Sequence, residues 1–267
     1  FVFENVPGIL SAKPGDGSVR IIDLIQKAFA DAGYAVLPDL SNAIIDMTEY
    51  GVPQNRKRII ILGVSKEHYG DKAEAMVEKF YSSYLPEYKI EKKATVRDAI
   101  GDLPKLRPLD EPISYLGRKL SHSVSDPLIN GHISRFHNKR DIELFKFLEE
   151  DIASGRMKYT SAKSLKTLYT KLTGKTSNVH KYYVLRWDEP SNLIPAHLFK
   201  DGLRHIHPDP EQARTITVRE AARLQTFPDD YYFNCSQTDA FKMIGNAVPP
   251  LFAKKVAYAI YHLIQEN

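Results

Sequence analysis

A carboxylate near the start of the chain and two arginines further along are candidates for catalysis and anion binding. Glu4 follows the apolar residues 1–3, which are typical of a short strand, and the carboxyl end of a strand is a common place for chemistry in open α/β sheets. Arg56 and Arg58 stand just before the aliphatic run 59–64, and their spacing directs both side chains to one side of an extended backbone. Because Arg presents a planar fork of donors, this pair could hold a phosphate and a base oxygen. A solvated basic loop would give the same pattern.

Strands and helices of an α/β fold must place these side chains. Residues 1–3 begin a short apolar strand that runs into polar residues and a turn by Gly8. Ser18 caps a helix whose apolar residues recur at helical spacing up to Gly33, and residues 34–37 form the next strand. Strand, helix and strand in this order indicate a parallel sheet. The charged segment 72–84 is predicted as a helix inserted at the surface.

The character of the sequence changes after Pro104, where Pro, Ser, His and Gly become frequent and the periodicity fades. We therefore predict a first domain over residues 1–105 and a second over 106–212. Residues 213–244 are predicted as a supporting helix and loop. Residues 245–267 are predicted as a final helix that returns to the first domain.

Two helices are predicted near the end of the chain. Thr217 and Glu220 have the spacing of a capping box, so a short helix follows them; taken alone it is typical of a surface helix with Arg219 on the polar side. The last helix follows Pro249 and carries an apolar stripe that packs on the core. Asn246 is predicted to lie in a tight turn before this helix. Its side chain serves either the turn itself or a contact with a ligand.

Basic and aromatic side chains alternate after a clear helix predicted at residues 139–152. The alternation suits neutralisation of a nucleic-acid backbone with base contacts, and lysines lying over a small tyrosine-rich core would produce it equally well. The nearby histidines lack the Cys or carboxylate array of a metal site, and we assign no metal. The basic residues are Lys158, Lys163, Lys166, Lys171, Lys175, Lys181 and Arg186, and the histidines are His197, His205 and His207.

The composition narrows the class of protein. With 267 residues, 43% of them hydrophobic, the chain can bury one sizeable core and a second small domain. The net charge of +4 permits a polyanionic partner without demanding one. A single cysteine excludes an internal disulfide and fits a reducing compartment, and no apolar run is long enough to span a membrane. Because Phe1 already belongs to an apolar strand, we expect the sequence to begin inside a fold.

Three blocks in a fixed order resemble the C-terminal portion of DNA cytosine-5 methyltransferases. The resemblance implies the C-terminal part of a Rossmann-like, S-adenosylmethionine-dependent methyltransferase sheet plus a smaller mixed target-recognition domain. It covers the chain outside residues 65–93. The blocks are Glu4-Asn5-Val6, then Gln54-Asn55-Arg56-Lys57-Arg58, and then residues 214–231 with Gly245-Asn246-Ala247-Val248-Pro249-Pro250.

The resemblance implies a reaction and roles for residues. In this family a cysteine thiolate adds to C6 of a cytosine flipped out of the duplex, and C5 then takes the methyl group of S-adenosylmethionine. Glu4 is implied to hold the flipped ring and to protonate or hydrogen-bond N3, Arg58 to donate to O2, and Arg56 to hold the neighbouring phosphate. Asn246 and Val248 are implied to line the cofactor pocket. The expected DNA contacts are Arg56, Gln54, Asn5, Arg219, Lys181 and Arg186, with Asn5 also positioning Glu4.

The sequence departs from the family in three places. The Pro-Cys nucleophile and the Phe-x-Gly-x-Gly cofactor loop are missing, and Cys235 lies in a loop where it is not expected to be the nucleophile. Leu193-Ile194 stands where the family has Thr before an aliphatic residue, which affects an expected base contact. We therefore expect this chain to be inactive alone and to need an N-terminal half, whether as a split enzyme or as a truncated fragment.

Two other functions fit the same residues. The chain could be a non-catalytic module that binds double-stranded DNA, or an RNA-directed relative of these enzymes. For each reading the expected location is the bacterial cytoplasm, with no membrane partner. S-adenosylmethionine is expected to be bound mainly by family segments that are missing from this chain.

Overall fold

The computed structural model describes residues 1–15, 17, 19–200 and 202–267. Ser18, the predicted cap of the first helix, lies outside the described residues. The chain divides into two compact units, residues 1–93 with 251–267 and residues 94–250. The predicted division into four segments stays a prediction. None of the helices in the described ranges is long and apolar enough to cross a membrane.

The described elements follow one another from β1 to α9. The strands are β1 (Val2–Asn5), β2 (Tyr34–Ala35), β3 (Ile44–Asp46), β4 (Lys57–Leu62), β5 (Val64–Ser65), β6 (Pro108–Tyr115) and β7 (Arg118–His122). The α-helices are α1 (Ile21–Asp31), α2 (Lys66–Tyr69), α3 (Lys72–Lys79), α4 (Val96–Ile100), α5 (Lys139–Ala153), α6 (Ala162–Thr173), α7 (Val218–Leu224), α8 (Gln237–Asn246) and α9 (Pro250–Gln265). A π-helical turn, Phe80–Tyr84, continues α3, so the helix predicted at 72–84 is confirmed.

The first unit is built on small sheets whose described strands all pair antiparallel. One sheet has the order β1-β4-β3, and β2 pairs with β5 in a second sheet. The predicted parallel pairing is therefore wrong for these strands. The connection between β3 and β4 contains a short 3-10 turn, Met47–Tyr50, and Gly51 in the left-handed region with φ 88°. It is too short for the crossover that parallel strands need.

Helix α9 supplies part of the core of the first unit. Phe252, Val256 and Leu263 are buried along one stripe, as the apolar spacing predicts. The ring of Phe252 packs edge-on against Tyr50, with centroids 5.3 Å apart. The aliphatic residues of β4 are buried in the same unit, so the strand that carries Arg58 has a rigid support.

The second unit has two hydrophobic clusters. Helices α4, α7 and α8 contribute to one, which includes Leu224 and Phe241. Helices α5 and α6 contribute to the other, which includes Phe145 and Leu165. The helix predicted at 139–152 is confirmed as α5, and the β6–β7 hairpin belongs to the same unit.

The capping box at the start of α7 is confirmed. The side chain of Thr217 accepts from the backbone N–H of Glu220, and the Glu220 carboxylate accepts from the N–H of Thr217. Six of the seven helix residues are buried. The helix is therefore part of the core and is not a surface helix.

The segment that joins α8 to α9 is positioned by a close backbone contact. A Cβ at Gly245 would lie 2.3 Å from the backbone nitrogen of Ala196, so only glycine fits there. Asn246 is the last residue of α8, which makes the predicted tight turn at this position wrong. The side chain of Gln225 donates to the carbonyl of Ala247 at 2.6 Å and holds the exit from the helix.

Candidate functional site

An ion pair between Glu4 and Arg58 forms the centre of the candidate site. The antiparallel pairing of β1 with β4 places Glu4 opposite Ile60 and Asn5 opposite Ile59. Arg58 lies just before these partners on β4, and its Nε is 3.0 Å from Oε1 of Glu4. The Arg58 side chain is 11% exposed and that of Glu4 is 27% exposed. The pair is thus partly shielded and still reachable by a ligand.

Arg56 adds a second guanidinium close to this pair. It is only 2% exposed. Burial, and to a smaller extent the charge of Arg58, lower the pKa of Arg56 to about 10, while Glu4 opposes the shift. Burial also lowers the pKa of Arg58, again opposed by Glu4. The structure therefore places Arg58 in contact with Glu4 and Arg56 within electrostatic range of both, and these are the three side chains that the resemblance assigns to one flipped cytosine and its phosphate.

This arrangement can bind a planar polar ring or an anion. Two guanidinium groups stand against one carboxylate, so the site has an excess of positive charge. A guanidinium N–H can donate to a ring carbonyl, and a carboxyl group can exchange a proton or a hydrogen bond with a ring nitrogen. The partial burial of Glu4 and Arg58 strengthens such contacts, because water competes less for them.

Two further predicted contacts flank the pair. Oδ1 of Asn5 accepts from the N–H of Val6 at 2.8 Å, at the point where β1 ends and a 3-10 turn, Pro7–Leu10, begins. This bond supports a positioning role for Asn5. The side chain of Gln54 is fully buried, which argues against the predicted direct contact with DNA.

Arg219 has a structural role in the second unit. Its side chain is 1% exposed and donates to the carbonyls of Asn130 at 2.8 Å, Pro228 at 3.2 Å and Tyr231 at 2.9 Å. A guanidinium that is occupied by three carbonyls inside the protein is not placed to hold a phosphate. This geometry argues against the predicted DNA contact of Arg219. The prediction places Arg219 on the polar side of the helix, and the pattern of polar and apolar residues does not show whether a side chain is buried.

Sequence reasoning missed the partner of Glu220. The sequence identifies Glu220 only as a helix cap, whereas its carboxylate also pairs with the buried Arg214. Burial raises the pKa of Glu220, but Arg214 outweighs that effect and holds the pKa well below its usual range. The sequence signal for this ion pair is Arg214 itself, which stands three residues before the capping box that begins at Thr217.

Two predicted DNA contacts, Lys181 and Arg186, lie on the segment that follows α6. Lys181 is half-buried and precedes Tyr182, whose backbone is left-handed with φ 61°. Arg186 is half-buried, with Nη1 3.7 Å from Oε1 of Glu189. Both assignments stay predictions.

The residues predicted to contact the cofactor are accessible. Asn246 is exposed at the end of α8, and Val248 is half-buried two residues later. The single cysteine, Cys235, is exposed, and its Sγ lies 3.9 Å from Sδ of Met243. The exposure of Asn246 and Val248 is compatible with a polar and an apolar contact to a bound small molecule.

Two of the histidines weighed as metal ligands, His205 and His207, have hydrogen-bond partners within the protein. Nε2 of His205 contacts the carbonyl of Leu193 at 3.1 Å, and Nδ1 of His207 accepts from the N–H of Asp209 at 3.1 Å. Burial lowers the pKa of His207 to about 3, with a further contribution from Arg214. Among the described residues, no group of three or more His, Cys, Asp or Glu side chains is placed to hold a metal ion.

Comparisons with known proteins cover almost the whole chain. Residues 1–262 match the family model described as C-5 cytosine-specific DNA methylase. The type II methyltransferase M.Bpa9945I of Bacillus paralicheniformis is 35% identical over 288 residues, which cover 99% of this chain and 60% of that relative. The type II methyltransferase M.AgeI of Thalassovita gelatinovora is 30% identical, with 97% of this chain and 72% of the relative covered.

A solved structure supports the fold. A prophage-encoded E. coli protein, described as a candidate DNA modification methyltransferase, matches with a TM-score of 0.61 and 23% identity. The match covers 99% of this chain and 69% of that chain. At this level of identity the likeness shows the α/β fold alone. The chemistry has to be argued from the residues of the candidate site.

Proposed function

The chain belongs to the C-5 cytosine-specific DNA methylase family, and from this premise we propose that it binds the target cytosine and recognises DNA during C5 methylation. The observation that carries the proposal is the ion pair of Glu4 and Arg58 beside the buried Arg56. A cytosine offers a ring nitrogen, N3, next to a carbonyl oxygen, O2, and this pair of groups matches a carboxyl beside a guanidinium.

Each of the three side chains has a distinct part in this proposal. Arg58 donates to O2 of the flipped cytosine, and Glu4 hydrogen-bonds N3 or delivers a proton to it. Protonation at N3 draws electrons from the ring and makes C6 more open to attack by a thiolate. Arg56 keeps its charge near neutral pH because its pKa of about 10 is well above 7. Because its side chain is only 2% exposed, Arg56 acts on the neighbouring phosphate through its charge and not through the direct contact that the sequence predicts.

The remaining parts of the reaction are assigned to groups outside the described site. We propose that polypeptide beyond these 267 residues supplies the nucleophilic cysteine and most of the cofactor site, because no Pro-Cys pair occurs here. Cys235 is not assigned as the nucleophile. S-adenosylmethionine supplies the methyl group when it is bound, and Asn246 and Val248 would line its pocket.

DNA recognition is assigned to the middle of the chain. Residues 106–212 are the proposed target-recognition domain, residues 213–244 its support, and residues 245–267 the helix that returns to the catalytic domain. Lys181 and Arg186 are the proposed DNA contacts there. Relatives from bacteria support a location in the bacterial cytoplasm, where the protein would meet double-stranded DNA.

Methylation of DNA by a reconstituted enzyme tests this proposal. The chain is co-expressed with the N-terminal part of M.Bpa9945I that it does not cover, and 5-methylcytosine in the host DNA is mapped by bisulfite sequencing. We expect methylation at one defined sequence, and we expect Glu4→Gln to abolish it because Gln cannot deliver a proton. Lys72→Gln, an exposed helix position, serves as the control and should leave methylation intact.

Three outcomes would contradict the assignment. Equal methylation by the original chain and by Glu4→Gln would show that Glu4 has no role in the reaction. Binding of duplex DNA without methylation in any combination of parts would favour a non-catalytic DNA-binding module. Preferential binding of RNA would favour the RNA-directed relative.

A further inference from the structure

Positive charge is concentrated in one segment of the chain. Residues 152–187 contain eight Lys and Arg residues and no Asp or Glu. Subtracting this charge of +8 from the total of +4 leaves the rest of the chain at −4. The basic balance of the protein therefore comes from this segment alone. Such a block is typical of a surface that meets a polyanion.

Helix α6 gives this segment a defined shape. Its start is fixed by a capping box between Ser161 and Ser164, and Gly174 ends it in the left-handed region with φ 68°. Leu165 and Leu168 are buried against the cluster that also contains Phe145. These caps and contacts hold the helix in place on the second unit.

The lysines of α6 lie on the face opposite the buried one. A helix turns by about 100° per residue, so Lys163, Lys166 and Lys171 are grouped on the side away from Leu165 and Leu168. Lys163 and Lys171 are exposed and Lys166 is half-buried. Two exposed hydroxyl side chains, Thr167 and Thr170, fall on the same face and can also donate to phosphate oxygens.

Among the described residues these lysines have no ion-pair partner, whereas some lysines elsewhere do. Elsewhere Lys27 pairs with Asp31 at 2.8 Å and Lys66 with Glu74 at 2.8 Å. Within the part of the chain that the structure describes, no carboxylate lies within 4.0 Å of the lysines of α6 or of the two that flank it. The five lysines are Lys158, Lys163, Lys166, Lys171 and Lys175.

An unpaired row of like charges is unfavourable in isolation. Lys163 and Lys166 are three residues apart on the helix, where like charges repel. A partner that is a polyanion removes this repulsion and releases its own counterions. Along a helix of twelve residues, roughly 18 Å long, duplex DNA presents on the order of ten phosphate charges.

We propose that the basic face of α6, formed by Lys163, Lys166 and Lys171 with Lys158 and Lys175 at its ends, binds the phosphate backbone of duplex DNA. The contact adds affinity and reads no sequence, because phosphates are the same at every base pair. The inference rests on the proposed function in one respect, since that function makes duplex DNA the partner. It assigns a role to lysines that are separate from the base-binding site.

Binding of the full chain to duplex DNA at several salt concentrations tests this inference. The probe is a fluorescent duplex that contains the methylated sequence, compared with one of the same length that lacks it. The variant replaces Lys163, Lys166 and Lys171 by Gln, which keeps the helix propensity. The control replaces three exposed lysines on helices of the first unit, Lys72, Lys79 and Lys254, and makes the same change in net charge.

The expected result is specific to α6. The α6 variant should bind both duplexes roughly tenfold or more weakly, and its slope of log K against log salt should fall by up to about 2.7. The control should keep the original slope. Circular dichroism and thermal unfolding should be unchanged in both variants.

Other outcomes separate this inference from the proposed function. Steep salt dependence that is equal in the original chain and the α6 variant would overturn the role of α6 and leave the base-binding proposal intact. An equal loss in variant and control would show a general effect of net charge and also overturn it. If the original chain does not bind duplex DNA, the inference about α6 fails, and methylation by the reconstituted enzyme still decides the proposed function. Loss of RNA binding alone in the α6 variant would overturn the assignment of duplex DNA to this face.

Discussion

Arg214 donates through Nη1 and Nη2 to the two carboxylate oxygens of Glu220, at 2.7 and 2.6 Å, with both side chains almost fully buried. The same carboxylate accepts from the backbone N–H of Thr217 at 2.7 Å. One carboxyl group therefore caps α7 and also neutralises a buried arginine. The two interactions of Glu220 therefore connect α7 to Arg214 in the segment that precedes the helix.

Replacement of Glu220 by Gln should destabilise the protein strongly. The substitution leaves the Arg214 guanidinium buried without a counter-charge, and breaking one side of a buried pair typically costs about 3–5 kcal/mol. Urea unfolding at pH 7 would measure the loss in free energy of unfolding. Glu150→Gln, at an exposed position of α5, is the matched control and should change stability by less than about 0.5 kcal/mol. A loss below about 1 kcal/mol for Glu220→Gln would show that the pair is not the main support of α7.

Glu149 on α5 should make stability fall as pH rises. Its side chain is fully buried, and the backbone N–H of Ala213 has the smallest effect of the groups that act on its carboxylate. Burial holds its pKa well above the usual range, and Asp209 adds to that shift while Arg214 opposes it. A carboxyl with a raised folded pKa stays protonated in the folded state and ionises in the unfolded state. Stability contributed by this proton is therefore present below the unfolded pKa and is lost as pH rises toward the folded pKa.

The variant Glu149→Gln removes this titration. We expect the original chain to lose about 1.4 kcal/mol per pH unit through Glu149 between the two pKa values, and the variant to lack this slope. Urea unfolding from pH 4 to pH 8 would show the variant gaining stability relative to the original chain as pH rises. Glu143→Gln on the exposed side of the same helix should leave the pH profile unchanged. Parallel profiles for the original chain and Glu149→Gln would contradict the raised pKa.

Local signals in the sequence predicted several elements well. The capping box at Thr217 and the apolar spacing in α5 and α9 identify these helices, because caps and periodicity depend on residues within one or two turns. The grouping of Glu4 with Arg58 was predicted through the resemblance, and the β1–β4 register now accounts for it physically.

Features that depend on distant parts of the chain were not predictable in this way. The antiparallel place of β4 between β1 and β3 is set by pairing across the sheet, which no local pattern encodes. Arg219 has the polarity of a surface residue, yet carbonyls from two separate loops surround it. Asn246 follows a glycine, which suggests a turn, but the close approach of Ala196 explains that glycine within the helix.

Replacement of Gly245 by Ala should destabilise the second unit. The added Cβ would lie 2.3 Å from the backbone nitrogen of Ala196, and backbone atoms cannot move aside as a flexible side chain can. We expect a loss of about 1–3 kcal/mol, the usual range for overpacking. Thermal unfolding would measure it against Gly15→Ala, where a Cβ meets no atom within 4 Å. Equal melting temperatures for the two variants would mean that α8 shifts freely away from Ala196.

Replacement of Arg58 by Lys should distinguish the contribution of the positive charge of this residue to methyl transfer from the contribution of its planar guanidinium geometry. Lysine keeps the positive charge but lacks the planar fork that can contact Glu4 and a base oxygen together, and its Nζ cannot reproduce the Nε contact at 3.0 Å. We expect methyl transfer by the reconstituted enzyme to fall at least 100-fold, or about 2.7 kcal/mol of transition-state stabilisation, with little change in DNA affinity.

The matched control is Arg20→Lys, because Arg20 also pairs with a carboxylate, Asp23, but at an exposed position of the same unit. That variant should keep full activity, since an exposed pair contributes little to stability and touches no part of the site. Retention of more than half of the methyl transfer by Arg58→Lys would show that charge alone is enough. In that case Arg58 would act by neutralising Glu4, and the contact with O2 of the cytosine would have to come from another donor.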